Sequence, residues 1–158
     1  MNRNTTFKPV LIMLFLAMIF QFIPFASDWG FYKPNFLLLM MIAWMLYFLD
    51  QYGIGFAVIM GVFADCIFLS TLGYHILLFS VCGLILIFFH RVVVYLQLVH
   101  RVTLVFLMIL LVEFMRAAID SSLDKPLSID GVLYLAIISA ICWIPLDKVA
   151  GHFYALQK

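Results

Sequence analysis

Long uninterrupted apolar stretches, separated by short polar or turn-rich breaks, divide this chain into six blocks: Val10–Phe25, Asn35–Leu49, Ile54–Leu69, Ile76–Phe89, Val102–Ala118 and Val132–Leu146. Inside the blocks apolar residues run on continuously, which excludes the short alternating strands of a membrane barrel. Each core holds roughly 14 to 17 residues and approaches 20 with its flanking Tyr, Trp, Gly and Ser, the helix length that crosses a hydrocarbon layer of about 30 Å. The pattern predicts an all-α integral membrane protein, a compact bundle of about six transmembrane helices in one domain. If two blocks merge or lie flat, the count falls to four or five.

Composition agrees with the pattern. Hydrophobic residues make up 67% of the chain, charged residues 11%, and mean hydropathy is +1.19. A soluble domain is closer to half apolar and a quarter charged, so this chain lacks the charges to cover a water-facing surface. Arg3 and Lys8 precede the first block as in a signal peptide, but Pro24-Phe-Ala-Ser27 is a poor cleavage site, and the block reads as an uncleaved first span. The net charge of +1, without a basic face, argues against nucleic acid as a partner. Cys66, Cys82 and Cys142 all lie in apolar blocks without metal-ligand spacing, and are expected to be small buried hydrophobes.

Basic residues set the orientation. With the amino terminus inside, six spans leave Arg3, Lys8, Arg91, Arg101, Lys148 and Lys158 in the cytoplasm and only Lys33 and Lys125 outside. That bias predicts cytoplasmic termini. Asp28, Asp120, Asp124 and Asp130 fall in outer loops. Trp29, Tyr32, Tyr74 and Tyr134 fall near the outer boundary, and Tyr47, Tyr52, Trp143 and Tyr154 near the inner one, as expected of rings at headgroup level. Pro34 and Pro145 are expected at span ends, and Pro24 kinks or finishes the first span. The stretch from Arg91 to Arg101 either extends the fourth helix or lies along the interface. In the polar segment 120–130, Ser128 or Asp130 is available to cap the last helix.

Few residues could carry chemistry. Asp65 is an acid inside the third block, where it needs a protein interior or a wet cavity and a partner. Gly53, Ala57, Gly61 and Asp65 recur every four residues, so on a helix they form one stripe that lets another helix approach closely. Glu113 and Arg116 share a face of the fifth span, at a depth similar to that of Asp65. Asp65 and Arg116 are therefore expected to approach each other, or to share polar partners with Glu113. The plainer alternatives are that Arg116 snorkels and pairs only with Glu113, and that Asp65 fixes helix packing. The histidines, His75, His90, His100 and His152, lie near span ends and read as interfacial. No nucleophile with an adjacent base, no metal-binding histidine pair and no phosphate-cradling loop occurs, so neither an enzyme nor a cofactor is expected.

Several of these residues together resemble the MreD family of bacterial rod shape-determining proteins. They are Lys33-Pro34-Asn35 with the following Phe-Leu-Leu-Leu and Trp44, Gly53-Ile-Gly55-Phe-Ala with Gly61 and Asp65, Ser70-Thr-Leu72-Gly73, and Trp143-Ile-Pro145. The family often has arginine where this chain has Lys33, and a glycine shortly after the aspartate where this chain has Cys66-Ile-Phe-Leu69. The resemblance implies a non-enzymatic component of the cell-elongation machinery in the inner membrane. Its implied direct partner is MreC. Around that pair stand RodA, a class B penicillin-binding transpeptidase and, indirectly, MreB, with membrane lipid as the surroundings. The implied mechanism is scaffolding that helps control peptidoglycan synthesis. The family also looks similar to the substrate-binding subunits of energy-coupling vitamin transporters. In that reading Asp65, Asn35 and Arg116 would line a pocket open outward, but the first span offers only Ala17 and Gln21 in place of an Ala-x-x-x-Ala docking patch.

Overall fold

The computed structural model describes residues 4–22, 33–49, 51–93, 97–121 and 129–156, and all the regular structure among them is helical. Six helices follow in order: α1 (Asn4–Phe22), α2 (Phe36–Phe48), α3 (Ile54–Phe68), α4 (Tyr74–Val93), α5 (Leu98–Ser121) and α6 (Ile129–Leu156). Two stretches, Leu98–Ile119 and Gly131–Ala155, are long and apolar enough to cross a membrane by length and composition; the other apolar helices are shorter.

The second helix forms the centre. It is apolar all round, and a helix with no polar face must be covered on every side. Every residue from Leu37 to Leu46 is buried, and α2 packs against α1, α3, α4 and α6. The remaining helices form an arc about it, with α3 on α4, α4 on α5 and α5 on α6. Trp44 ties one end of the core together, its ring near those of Phe48, Tyr52 and Phe153 at 4.9, 6.2 and 6.2 Å. The outward faces are apolar too: Phe15, Leu16 and Ile19 on α1, Phe88 on α4, Leu107 and Phe114 on α5 and Ile141 on α6 are all exposed.

The most extensive interhelical contact is between α3 and α4. A Cβ added at Gly61 would lie 2.5 Å from Ile76 Cα, and one at Gly83 would lie 2.8 Å from the Ala57 methyl. Each helix thus offers a glycine where the other needs room, and two backbones meet at a distance that larger residues forbid.

Several boundaries differ from the apolar pattern, because helices continue into residues that the pattern leaves out. The first helix begins at Asn4 and is described to Phe22, so Pro24 lies outside the described residues. The fourth helix continues through Val93 and the fifth starts at Leu98, so most of the 91–101 stretch extends the two helices. Pro145 is inside α6 and does not end it. A proline there removes one intrahelical hydrogen bond, but the helix beyond it is held by tertiary contact: Asp147 and Ala150 are buried, and Gly151 packs on Tyr47. Asp130 falls in the first turn of α6, while Ser128 lies outside the described residues. Among the cysteines, Cys82 is buried as expected, whereas Cys142 is half-buried and Cys66, one residue past the inward-facing Asp65, is exposed.

The glycine contacts lead to a contrast between two neighbours on one helix. Gly61→Ala is expected to cost about 1–3 kcal/mol by overpacking. Gly55→Ala, where a Cβ meets nothing within 4 Å, is expected to be neutral or slightly stabilising. Thermal unfolding in detergent measures both.

Candidate functional site: two interior polar clusters

The first cluster closes the α3–α4 turn. Asp65, 2% exposed on the last turn of α3, turns its carboxylate toward the start of α4. Its Oδ1 accepts from Ser70 Oγ at 2.7 Å and from the His75 backbone N–H at 2.8 Å, and Oδ2 accepts from the Gly73 N–H at 2.8 Å. His75 Nδ1 lies 2.9 Å from both Asp65 Oδ1 and Ser70 Oγ. The Asp65 backbone carbonyl takes the N–H groups of Leu69 and Ser70. One residue thus takes the Gly73 and His75 N–H groups at the start of α4 and, through its own carbonyl, closes the end of α3, with its negative charge at the positive end of a helix.

Ser70, His75 and Asp65 invite comparison with a hydrolytic triad, and the geometry argues against it. In a triad serine and aspartate engage opposite ring nitrogens, so a proton can be relayed. Here both meet the same nitrogen, Nδ1, and the Ser70 hydroxyl donates to the carboxylate. The arrangement is a closed triangle of hydrogen bonds. It holds a turn.

The turn needs such holding. Leu69 has φ 50°, the left-handed region that a side chain disfavours, and Gly73 has φ 107°. A non-glycine residue persists there only when its surroundings impose it. His75 is itself packed, stacked on Phe68 at 4.9 Å and edge-on to Phe79 at 6.1 Å.

The second cluster joins α2, α5 and α6 at the opposite end of the bundle. Asp147, 3% exposed, accepts from Tyr47 Oη at 2.8 Å and from an Arg101 guanidinium nitrogen at 3.1 Å. Arg101 also donates to Tyr47 Oη, and its guanidinium carbon sits 5.5 Å from the Tyr47 ring centroid. Three helices far apart in sequence therefore meet through one carboxylate, one guanidinium and one phenol. A buried ion pair is costly to desolvate and costlier to break, since removing one partner strands the other.

The segment Lys33-Pro34-Asn35 orders the start of α2. Asn35 Oδ1 accepts from the Leu38 N–H at 3.1 Å, an N-cap. The Phe36 N–H donates to Gln21 Oε1 at 3.2 Å, and Lys33 Nζ donates to the Gln21 backbone carbonyl. A cation at the carbonyl end of α1 complements that helix dipole. Pro34 is buried between them.

The sequence-derived candidates are distributed as follows. Ala57 and Gly61 face α4 of the same chain, so the helix that approaches the small-residue stripe is an internal neighbour. Gly53 precedes α3 as its N-cap and a Cβ there would meet nothing. Arg116, 52% exposed, lies 3.8 Å from Glu113 on its own helix. The Asp65 oxygens are occupied by Ser70, Gly73 and His75. Leu72 is exposed on the turn and Gly55 on α3. Sequence reasoning missed His75 as a partner of Asp65, and missed Tyr47, Arg101 and Asp147 as a group. The available signal was Asp147 itself, an acid directly after an apolar block and four residues from the buried Trp143.

Between α5 and α6 runs an apolar groove of about 270 Å³, lined by residues that include Val102, Phe106, Ala140 and Ile144. Among the described residues no group of His, Cys, Asp or Glu is placed to hold a metal ion. Asp65, Asp147 and Asn35 are committed to a turn, an ion pair and a cap, an arrangement suited to fixing helices against one another, while Ser139 Oγ and the Trp44 and Trp143 ring N–H groups are buried without a hydrogen-bond partner among the described residues.

Removing either acid is expected to destabilise the fold unequally. Asp65→Asn keeps one acceptor but turns an amide toward backbone donors, and a loss of about 1–3 kcal/mol is expected. Asp147→Ala strands Arg101 and is expected to cost about 3–5 kcal/mol, with part regained in the Arg101→Met, Asp147→Ala double variant. Denaturation in detergent across this cycle reads the coupling.

A family model described as rod shape-determining protein MreD matches residues 1–150 of this 158-residue chain. Comparison with curated proteins and with solved structures returns no match.

Proposed function

We infer function from one premise: the chain belongs to the MreD family of rod shape-determining proteins. Membership implies a role in determining rod shape. We propose that it fills this role as a non-enzymatic scaffold, a six-span bundle in the bacterial inner membrane with both termini in the cytoplasm. In this reading the bundle docks MreC and through it helps control peptidoglycan synthesis by RodA and a class B transpeptidase, with MreB engaged indirectly.

The observation that carries this reading is where the charges are. Asp65 and Asp147 are buried and fully partnered, while leucine, isoleucine and phenylalanine crowd the outside. A protein in water has the opposite economy; a bundle in lipid needs this one. In this reading Tyr47, Arg101 and Asp147 belong to the cytoplasmic end and Asp65 and His75 to the outer one, in keeping with the bias of basic residues. Of the three groups that a transporter subunit would turn toward a ligand, Asn35 and Asp65 serve as a helix cap and a turn closure, and Arg116 lies beside Glu113 on its own helix.

Depletion in a rod-shaped host is expected to round the cells, and MreC is expected to copurify with the tagged protein when it is present. Normal rods with no MreC recovered would count against the scaffold. Reporter fusions after Leu49 and after Val93 are expected to report cytoplasm, and a fusion after Ser121 the outer side.

A further inference from the structure

We propose that the groove between α5 and α6 seats one anionic phospholipid of the cytoplasmic leaflet, with an acyl chain along the groove and the phosphate on Lys148. The proposal rests on the membrane-bundle reading above and adds to it a ligand class and a site.

The groove and the lysine lie on one line. Ile137, Ile141, Ile144 and Lys148 follow one another at helical spacing, so they share one face of α6. The three isoleucines are exposed and line the groove, and Val102 and Phe106 supply its α5 side. One turn beyond Ile144 the same face changes from isoleucine to an exposed lysine. A contact between the two helices fixes where this happens. Arg101, the residue before Val102, reaches Asp147, the residue before Lys148, at 3.1 Å. On both helices the groove therefore ends beside this ion pair, with Lys148 at its mouth.

Lys148 is also at a suitable depth for a headgroup. From Asp130 in the first turn of α6 to Lys148 the rise is about 27 Å, against about 30 Å of hydrocarbon. Between Asp130 and Asp147 the helix carries no charge. The mouth itself is basic. Asp147 is buried and its charge is matched by Arg101, which makes both of its hydrogen bonds through Nη1 and keeps 20% of its side chain exposed. His152, exposed, follows Lys148 by one turn on the same face. Basic groups between membrane helices on the cytoplasmic side suit anionic lipid headgroups.

The lining favours an acyl chain over the helix of a protein partner. Close helix contact needs small residues along the seam, such as Gly61 and Gly83 between α3 and α4. Branched and aromatic side chains wall most of this groove, whose volume is about 270 Å³. A flexible hydrocarbon chain moulds to such a surface, and a phosphate gives Lys148 a charged partner that an apolar helix lacks.

The test uses the full-length protein in dodecylmaltoside, titrated with dioleoylphosphatidylglycerol or dioleoylphosphatidylcholine, with bound lipid counted by native mass spectrometry. The unaltered protein is expected to bind phosphatidylglycerol about fivefold more tightly, the effect of one basic residue at a headgroup. Lys148→Gln should remove that preference and leave phosphatidylcholine unchanged, and Lys148→Arg should keep it. Thr103→Trp, which fills the groove, should weaken both lipids. Thr103 and Lys148 are both exposed, so neither change should disturb folding. Lys8→Gln, on α1 where it packs against α2, should alter nothing. Equal affinity of the unaltered protein for the two lipids would overturn the proposal. So would an equal loss in Lys8→Gln and Lys148→Gln, which would show diffuse attraction and no site. Both lipids still bound by Thr103→Trp, with MreC no longer copurifying, would overturn it in favour of a protein helix in the groove. A protein that stays monodisperse in water without detergent would instead remove the membrane reading itself.

Discussion

A carboxylate removed from water must be given hydrogen-bond donors by the protein, and the positions of Asp65 and Asp147 are where this chain meets that demand. Asp65 collects the donors of a turn and a helix start. Asp147 collects a guanidinium and a phenol from two other helices. Both acids are almost wholly buried. In apolar surroundings such groups have no alternative partner, so each contact fixes geometry as well as satisfying charge. The first cluster makes α3 and α4 a single unit. The second ties α2, α5 and α6 together at the other end.

Between these two polar ends the bundle is held by shape. The second helix has no preferred face and so cannot define its own orientation by hydrophobicity. Its register comes from its ends: Asn35 caps it with help from Gln21 and Lys33, and Tyr47 anchors it to Asp147. Apolar packing then fills the space without having to choose it. This division suits a protein in lipid, where apolar burial between helices provides little drive and association relies on close packing and hydrogen bonds.

The two sides of the bundle differ in closeness. Between α3 and α4, Gly61 and Gly83 bring the helices together until a methyl group would collide. Between α5 and α6, β-branched and aromatic side chains leave an apolar groove. One protein thus combines a tightly packed hairpin with a helix pair that carries an open apolar groove. For a scaffold whose proposed work is to receive neighbouring membrane helices, that asymmetry is physically reasonable.

Helical class, the number of helices and the need of Asp65 for an interior with partners were legible from the chain, because apolar runs of span length and an isolated acid among them are local signals. The glycine and alanine spacing on α3 also announced a close neighbour. The family resemblance rested on short local strings, and the match to residues 1–150 agrees with it. Tertiary structure alone decided which groups became partners. Asp65 pairs with the turn that follows it and not first with Arg116, because the exposed donors at the start of α4 lie within reach of its carboxylate. Tyr47, Arg101 and Asp147 meet only when three helices pack, and no periodicity encodes that meeting. Pro145 continues a helix because contacts from Asp147, Ala150 and Gly151 outweigh one lost hydrogen bond. Local composition determines where a chain is helical and how apolar it is; long-range contacts, which composition does not describe, determine where its few charges find one another.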